Sequence, residues 1–376
     1  MAKLISGIFL VLVLSYLSQR VDGKGKPTSS RKTLEDVDRK LKLLNKPAVK
    51  SIKLKPSFDL PQENLTTKNE EVIQIWQRSG SCPEGTVPIR RIRREDLLRA
   101  ASLDDFGRKP PQIFSASNRT DQKHSRFVYF NNTEHSLGPI ENRSAAILVT
   151  LGYNYIGAKG DINIWNPNVE KEGEFSTAQI WLKGGPGNDF ESMESGWVAD
   201  AYKKTGCFDL TCSGFVHTSP KYALGAAFPN VSSELGPQYY VPVGIYMDPQ
   251  SSNWWLKIGN TNISIGYWPA KSLMYYLKHS ATLVEWGGQV YSPNVKKTPH
   301  TKTAMGSGDF ASGLLGSACF IMNARIIDFS QIMKYPQWVA TWADEVYCYT
   351  AYNYVEGYGS FPVFYFGGPG QNPNCP

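Results

Sequence analysis

Two glutamates stand where acid–base chemistry would suit them. Glu194 lies in Glu194-Ser195-Gly196-Trp197, and Glu285 lies in Val284-Glu285-Trp286-Gly287-Gly288. Each is next to Trp and Gly, in a stretch poor in charge. A carboxylate on the wall of an aromatic cleft is partly desolvated, which favours its neutral form. Two such groups brought together cannot both ionise easily, so one serves as acid and the other as base. That division of labour would activate water against an amide. Spacing alone does not bring the two together. On spacing alone, a solvated strand end is the better reading of each.

Other reactive arrangements are missing from the sequence. It contains no H-E-x-x-H, no phosphate loop and no serine-protease order. The two Gly-Gly-Pro-Gly runs, 184–187 and 367–370, read as structural turns. The histidines (His124, His135, His217, His279, His300) are scattered, and none of the six cysteines forms a C-x-x-C. Zinc spacing is therefore absent, and no cofactor or metal is expected.

The elements that must position the glutamates are strands. The chain holds 33 Gly, 20 Tyr and 10 Trp, residues that turns and strands use. Short apolar runs follow one another after Arg126: 127–130, 146–150, 162–165, 178–182 and 263–268. Alternation and Gly, Pro and Asn breaks separate them, which predicts an all-β antiparallel sandwich. One helix is expected between Pro269 and His279. Upstream, Leu34, Val37, Leu41, Leu43 and Leu44 recur at roughly helical spacing. A turn and strand are expected over 82–91, and a helix over 95–100. This smaller mixed segment precedes the β domain. The boundary is placed in the Pro-, Ser- and Asn-rich stretch between Pro110 and Lys123.

The first residues set the compartment. Lys3 precedes an apolar run from Leu4 to Leu17, and Val21-Asp22-Gly23 offers small residues for cleavage. This reads as a signal peptide over 1–23, since a membrane span needs ~20 apolar residues. Six Asn-x-Ser/Thr sequons fit a secreted, extracellular or cell-wall chain, with the vacuole as a further destination. They are at Asn64, Asn118, Asn131, Asn142, Asn230 and Asn262. In that compartment disulfides are the default. Cys207 and Cys212 are close enough to close a small loop, and Cys348 and Cys375 could tie down the C-terminus. Cys82 and Cys319 are left to pair or to remain free thiols. Charge divides unevenly. Residues 24–125 hold 22 Lys+Arg against 13 Asp+Glu, a net of +9, while 126–376 hold 16 against 19, a net of −3. A basic segment docked on its own acidic domain explains this better than nucleic acid or a membrane surface, neither of which is expected as a partner.

Longer motifs add a resemblance. "DINIWNPNV" (161–169), "ESGW" (194–197), "TGCFDLTCSGF" (205–215), "NWWL" (253–256), "GYWP" (266–269), "VEWGG" (284–288), "MGSG" (305–308) and "GGPGQNPNCP" (367–376) resemble the plant neprosin family. "CPEGTVPIRR" (82–91) and "EDLLRA" (95–100) resemble its activation peptide. The resemblance implies a signal peptide (1–23), an inhibitory propeptide (24–122) and a double β-sandwich peptidase domain (123–376). It implies a metal-free endopeptidase that cuts proline-containing peptides after proline in acid. Its two catalytic glutamates match Glu194 and Glu285, and its disulfides carry over to Cys207–Cys212 and Cys348–Cys375. The chain departs from the pattern in three places. Only Val198 to Lys204 separate Trp197 from Thr205, where the family has a longer interval carrying an aromatic strand. Asp309 stands where the family usually has His, and Val49 where its propeptide has Cys. The short interval raises a second expectation, a catalytically impaired extracellular binding protein.

Overall fold

The computed structural model describes residues 33–45, 47, 54–60, 72–99, 103, 106, 126–130, 133–137, 140–186, 190–199, 210 and 214–376. The leader, Val49, Asn64, Asn118, Asn131, Cys207 and Cys212 lie outside the described residues. Among those described, no helix is long and apolar enough to cross a membrane.

The N-terminal part begins as its sequence predicts. Helix α1 (Leu34–Leu44) is capped by Thr33, whose side chain accepts the amide of Asp36. Glu35 and Asp36 place negative charge in the first turn, against the positive end of the helix dipole. Val37 is fully buried and packs with Ile92, Leu97 and Phe106. Leu97 comes from the short helix α2 (Arg94–Arg99). The strand expected over 82–91 does not form. Asn45 supplies the pairing that a neighbouring strand would have supplied to Ile92. Its amide donates to the Ile92 carbonyl at 2.8 Å, and its oxygen accepts the Ile92 N–H at 2.9 Å.

Every pairing between the described strands is antiparallel. Strands β1 (Arg126–Phe130) and β2 (Thr133–Leu137) form a separate two-stranded sheet. Next come β3 (Arg143–Asn163), β4 (Phe175–Gly184), β5 (Glu191–Ala199), β6 (Val216–His217), β7 (Tyr240–Met247), β8 (Trp254–Ile258) and β9 (Ile263–Trp268). After the single-turn helix α3 (Ala270–Leu273) follow β10 (Ala281–Tyr291), β11 (Cys319–Asp328), β12 (Met333–Lys334), β13 (Ala340–Ala343), β14 (Thr350–Tyr354) and β15 (Val363–Gly367).

Strand β3 makes this a sandwich. It is 21 residues long, and Gly152 in its middle adopts φ 102, a left-handed value that glycine reaches without a Cβ clash. The half before Gly152 pairs with β10 and β13. The half after it pairs with β7 and β11. One 13-stranded sheet thereby folds into two layers. The first runs β13–β3–β10–β4–β5, and the second β14–β15–β11–β3–β7–β8–β9–β6. Ala146, Leu148, Ile180, Val284 and Trp286 face Ile162, Ile245, Trp254, Ile321 and Phe366 across one core. Buried indoles find acceptors: Trp286 donates to the Lys159 carbonyl at 2.9 Å and Trp254 to that of Leu277 at 2.8 Å.

The helix expected over 269–279 ends at Leu273. Glu191 explains why, because its carboxylate accepts the backbone amides of Tyr275, Tyr276 and Leu277 at 2.7–3.0 Å. Those donors would otherwise continue the helix. Cys82 and Cys319 are free thiols. Cys319 is fully buried in the core, and burial pushes its thiol well above the usual range. Cys348 and Cys375 are joined, as expected.

The N-terminal segment is anchored on the sandwich at two places. At the first, Leu60 is buried with Tyr246 and Ile327, and the Asp248 carboxylate accepts the Ser57 amide and, at 2.8 Å, its hydroxyl. At the second, the Gln74 side chain donates to Ala223 O at 2.9 Å and accepts Ala223 N–H at 2.8 Å. Both anchors are polar side chains filling places in another segment's backbone pairing.

The C-terminus is locked separately. Besides the disulfide, the His300 amide donates to Pro376 O at 3.1 Å. The His300 ring spans Thr301 O (2.8 Å) and Glu345 Oε1 (3.2 Å).

Two consequences depend on pH. Burial works against the Asp248 charge, but the Ser57, Ser251 and Gln250 donors outweigh it and hold the carboxyl below its usual value. The Ser57 anchor is then fully present above the ordinary Asp range of ~3.9 and is lost as pH falls through the lower folded value. Hydrogen exchange at the Ser57 amide should show protection near neutral pH that is lost in Asp248→Asn. Equal protection in both proteins would reject the anchor. Burial also opposes charge on His300, yet Glu345 and Thr301 raise its value overall. Its stabilisation is present below the unfolded value of ~6.5 and is lost as pH rises through the raised one. The melting temperature of the wild type should fall over that alkaline window, and His300→Gln should flatten the fall.

Candidate active site

The outer face of the first layer carries the two glutamates, and register brings them together. Trp181 on β4 is directly opposite Glu194 on β5 and directly opposite Glu285 on β10. Directly paired residues on antiparallel strands point to the same face. The two carboxylates therefore flank one indole, two strand spacings or ~10 Å apart at Cα. Glu285 also pairs with Val149 of β3. Trp181 packs with Ile147, Val149 and Leu283 in an apolar floor, which Trp338 and Trp342 approach from the β13 side.

The next row along the strands is nearly bare. Gly196, Gln179, Gly287 and Ile147 lie opposite one another. A Cβ on Gly196 would be 2.0 Å from Ala178 O, and one on Gly287 would be 2.2 Å from Ala146 O. Glycine lets both strands lie close on their neighbours and leaves a trough beside the glutamates, with Gln179 as its polar side chain.

The two carboxylates have different surroundings. Glu194 is half-buried. It accepts the Gln179 amide at 2.7 Å and the Ser192 hydroxyl at 2.8 Å. Glu285 is only 2% exposed. Its Oε2 is 2.6 Å from the ammonium of Lys183, while its Oε1 is buried without a hydrogen-bond partner. Lys183 in turn lies over the rings of Trp181 (5.9 Å) and Phe190 (5.4 Å). Farther along, Arg143 donates to Gln289 at 2.8 Å and sits against the stacked rings of Phe175 and Tyr291. Burial lowers the Arg143 value, and the charge of Glu194 partly restores it.

A cavity of about 910 Å³ opens beside Glu194. Gln179, Ser192 and Glu194 line one part of it, and Trp197, Phe215 and Trp268 another. Gln74 of the N-terminal segment forms part of its wall. A residue of that segment thus borders the space that Glu194 borders.

The sequence singled out Glu194 and Glu285, and the fold places them on one face. It did not single out Lys183, Gln179, Arg143 or Gln289. A signal existed for two of them: alternation along Gln179-Ile180-Trp181-Leu182-Lys183 puts both polar residues on the Trp181 face. Among the sequons, Asn230 is exposed, whereas Asn142 and Asn262 are half-buried with φ of 57 and 52.

Residues 172–369 match the neprosin family, a span of just over half the chain that includes both glutamates, Lys183 and Cys348. Residues 37–137 match the neprosin activation peptide, a span that includes most of α1, all of α2, both anchors, β1 and β2. The chain therefore belongs to the neprosin family, a family of zymogen peptidases.

Proposed function

We propose that this chain is a secreted glutamic endopeptidase that cuts after proline in acid and is released from its own propeptide. The observation that carries the reading is the Glu194–Trp181–Glu285 register. One carboxylate removes a proton from a water molecule held between the two. The water oxygen adds to the scissile carbonyl carbon. The other carboxyl gives its proton to the amide nitrogen, the C–N bond breaks, and a carboxylic acid and an amine leave. The proton taken from water then returns the pair to its starting state. The trough at Gly196 and Gly287 gives room for a pyrrolidine ring, and the preference for proline comes from the family resemblance. The near-complete burial of Glu285 and the place of Gln74 in the cavity wall support a precursor held inactive. Cleavage between Pro110 and Arg126 would free the domain. The leader and sequons support export to the extracellular space, cell wall or vacuole.

A second reading, an impaired family member that binds an extracellular ligand, is favoured by one feature. Among the described residues β5 pairs only with β4, so Glu194 stands on an edge strand. Restoring a family-length interval after Trp197 would separate the readings. Turnover only in the restored chain would favour the second.

For the first reading, Glu194→Gln and Glu285→Gln should each lose ~10²–10⁴-fold in turnover of a proline-containing peptide at acid pH. The double variant should be little worse than either single one, because the pair acts as a unit. Activity should persist with chelators and with serine or cysteine reagents. Product masses report the bond cut, and near wild-type turnover in either single variant would sink the dyad.

A further inference from the structure

Lys183 is the feature of this face that the two-glutamate chemistry does not by itself require. It is a lysine on a sheet interior strand, its side chain 13% exposed, ion-paired to a glutamate whose side chain is 3% exposed. Burying such a pair is costly unless its geometry is good, and an apolar residue would fit the same floor. We propose that Lys183 is a positioning residue that fixes Glu285 as the charged, proton-accepting member of the pair and leaves Glu194 to carry the proton. The inference rests on the two-glutamate reading.

Hydrogen-bond capacity argues for this assignment. An ammonium has three donors and no acceptor. A proton on Glu285 Oε2 would face it with nothing to receive that proton. With Oε2 held by Lys183, Oε1 is the oxygen left to take a proton from water, and it is buried without a partner. Glu194 differs. Its Oε1 meets the hydroxyl of Ser192, and a hydroxyl accepts as well as donates. The Ser192 hydroxyl can turn to receive a proton carried on that oxygen. Its other oxygen remains an acceptor for Gln179.

Lys183 is also held in place. The rings of Trp181 and Phe190 lie beside its ammonium, and both contacts favour a cation. The register puts Lys183 opposite Leu283 and Ser192, one row from Glu285, so the ion pair is a diagonal one across adjacent strands. The other described ionisable groups along this face are Glu194 on β5, across Trp181, and, farther along the strands, Arg143 at the start of β3, Tyr291 at the end of β10 and Asp344 after β13. Arg143 acts on Glu194 in the charge-favouring sense, which opposes the proposed division. Lys183 is in contact at 2.6 Å, whereas the Arg143 guanidinium is engaged with Gln289 and the Phe175 and Tyr291 rings.

The test uses the full chain and the same chain after acid processing. Neutron diffraction of the wild type should place the shared proton on Glu194. In Lys183→Met, which keeps the stem on the two rings, the acid limb of kcat/KM for a proline-containing peptide should move to higher pH, with the alkaline limb in place. Lys183→Arg should keep the wild-type limb. A wild-type proton found on Glu285 overturns the proposal, even where Lys183→Met fails to fold. So does an unmoved acid limb in Lys183→Met. Failure of the two-glutamate reading has a different signature, namely undiminished turnover in Glu194→Gln or Glu285→Gln.

Discussion

The site depends on the register of β4 between β10 and β5. Side chains alternate along a strand, so a slip of one residue on β10 would turn Glu285 inward and Trp286 outward. The core forbids this. Trp286 is fully buried with its indole bonded to Lys159 O, and Val284 is fully buried beside it. Exposing Trp286 to gain nothing but a buried carboxylate would lose its transfer free energy, ~1.5–3 kcal/mol for a large apolar side chain, and leave a charge inside. The same apolar residues that hold the sandwich together therefore fix which way the glutamates point. On β5 the lock is weaker. Met193 and Trp197 face the core, but β5 has a described neighbour on one side only.

How far this was legible in the sequence follows from which interactions are local. Helix α1 could be read because its cap, its charges and its apolar stripe lie within a few residues. The short strands could be read from alternation. The pairing of Glu194 with Glu285 could not, because Trp181 joins them from a third strand, far along the chain from Glu285. Nor could the ion pair of Lys183, since a lysine in an alternating strand looks the same whether it meets water or a buried carboxylate. Residues 269–279 misled for a physical reason. Leu273, Tyr276 and Leu277 keep helical spacing, but Glu191 offers their backbone amides a charged acceptor. Charge-assisted bonds to backbone amides outcompete the neutral helical ones. Beyond the 82–91 segment a neutral side chain, that of Asn45, takes the backbone pairing of Ile92 in place of a strand.

The asymmetry of charge has a two-level meaning. A net of +9 on residues 24–125 against −3 on the remainder gives long-range attraction between segment and domain. That attraction is screened beyond ~8 Å at physiological salt, so it cannot define a docked pose. The pose is set by Leu60 in its apolar pocket and by Ser57 and Gln74 on their polar partners. Of these, only the Ser57 contact carries a titrating group, Asp248. Gln74 is neutral at every pH. Acid can therefore loosen the first anchor while leaving the second in place, which makes release a stepwise matter rather than a general loss of attraction.

The C-terminal lock answers pH from both sides. His300 and Glu345 move in opposite directions: the imidazole is raised and the carboxyl lowered, each despite a burial effect that opposes its charge. The imidazolium half survives at all pH below the raised His300 value, and the carboxylate half survives until pH falls through the lowered Glu345 value. Between those limits the pair is fully charged. Asp248 is likewise held low, so its anchor holds until pH falls through its own lowered value. The disulfide that closes the tail to Cys348 does not titrate at all. The lock and the anchor thus both end at a carboxylate held low, and only the lock is also undone from the alkaline side, through His300.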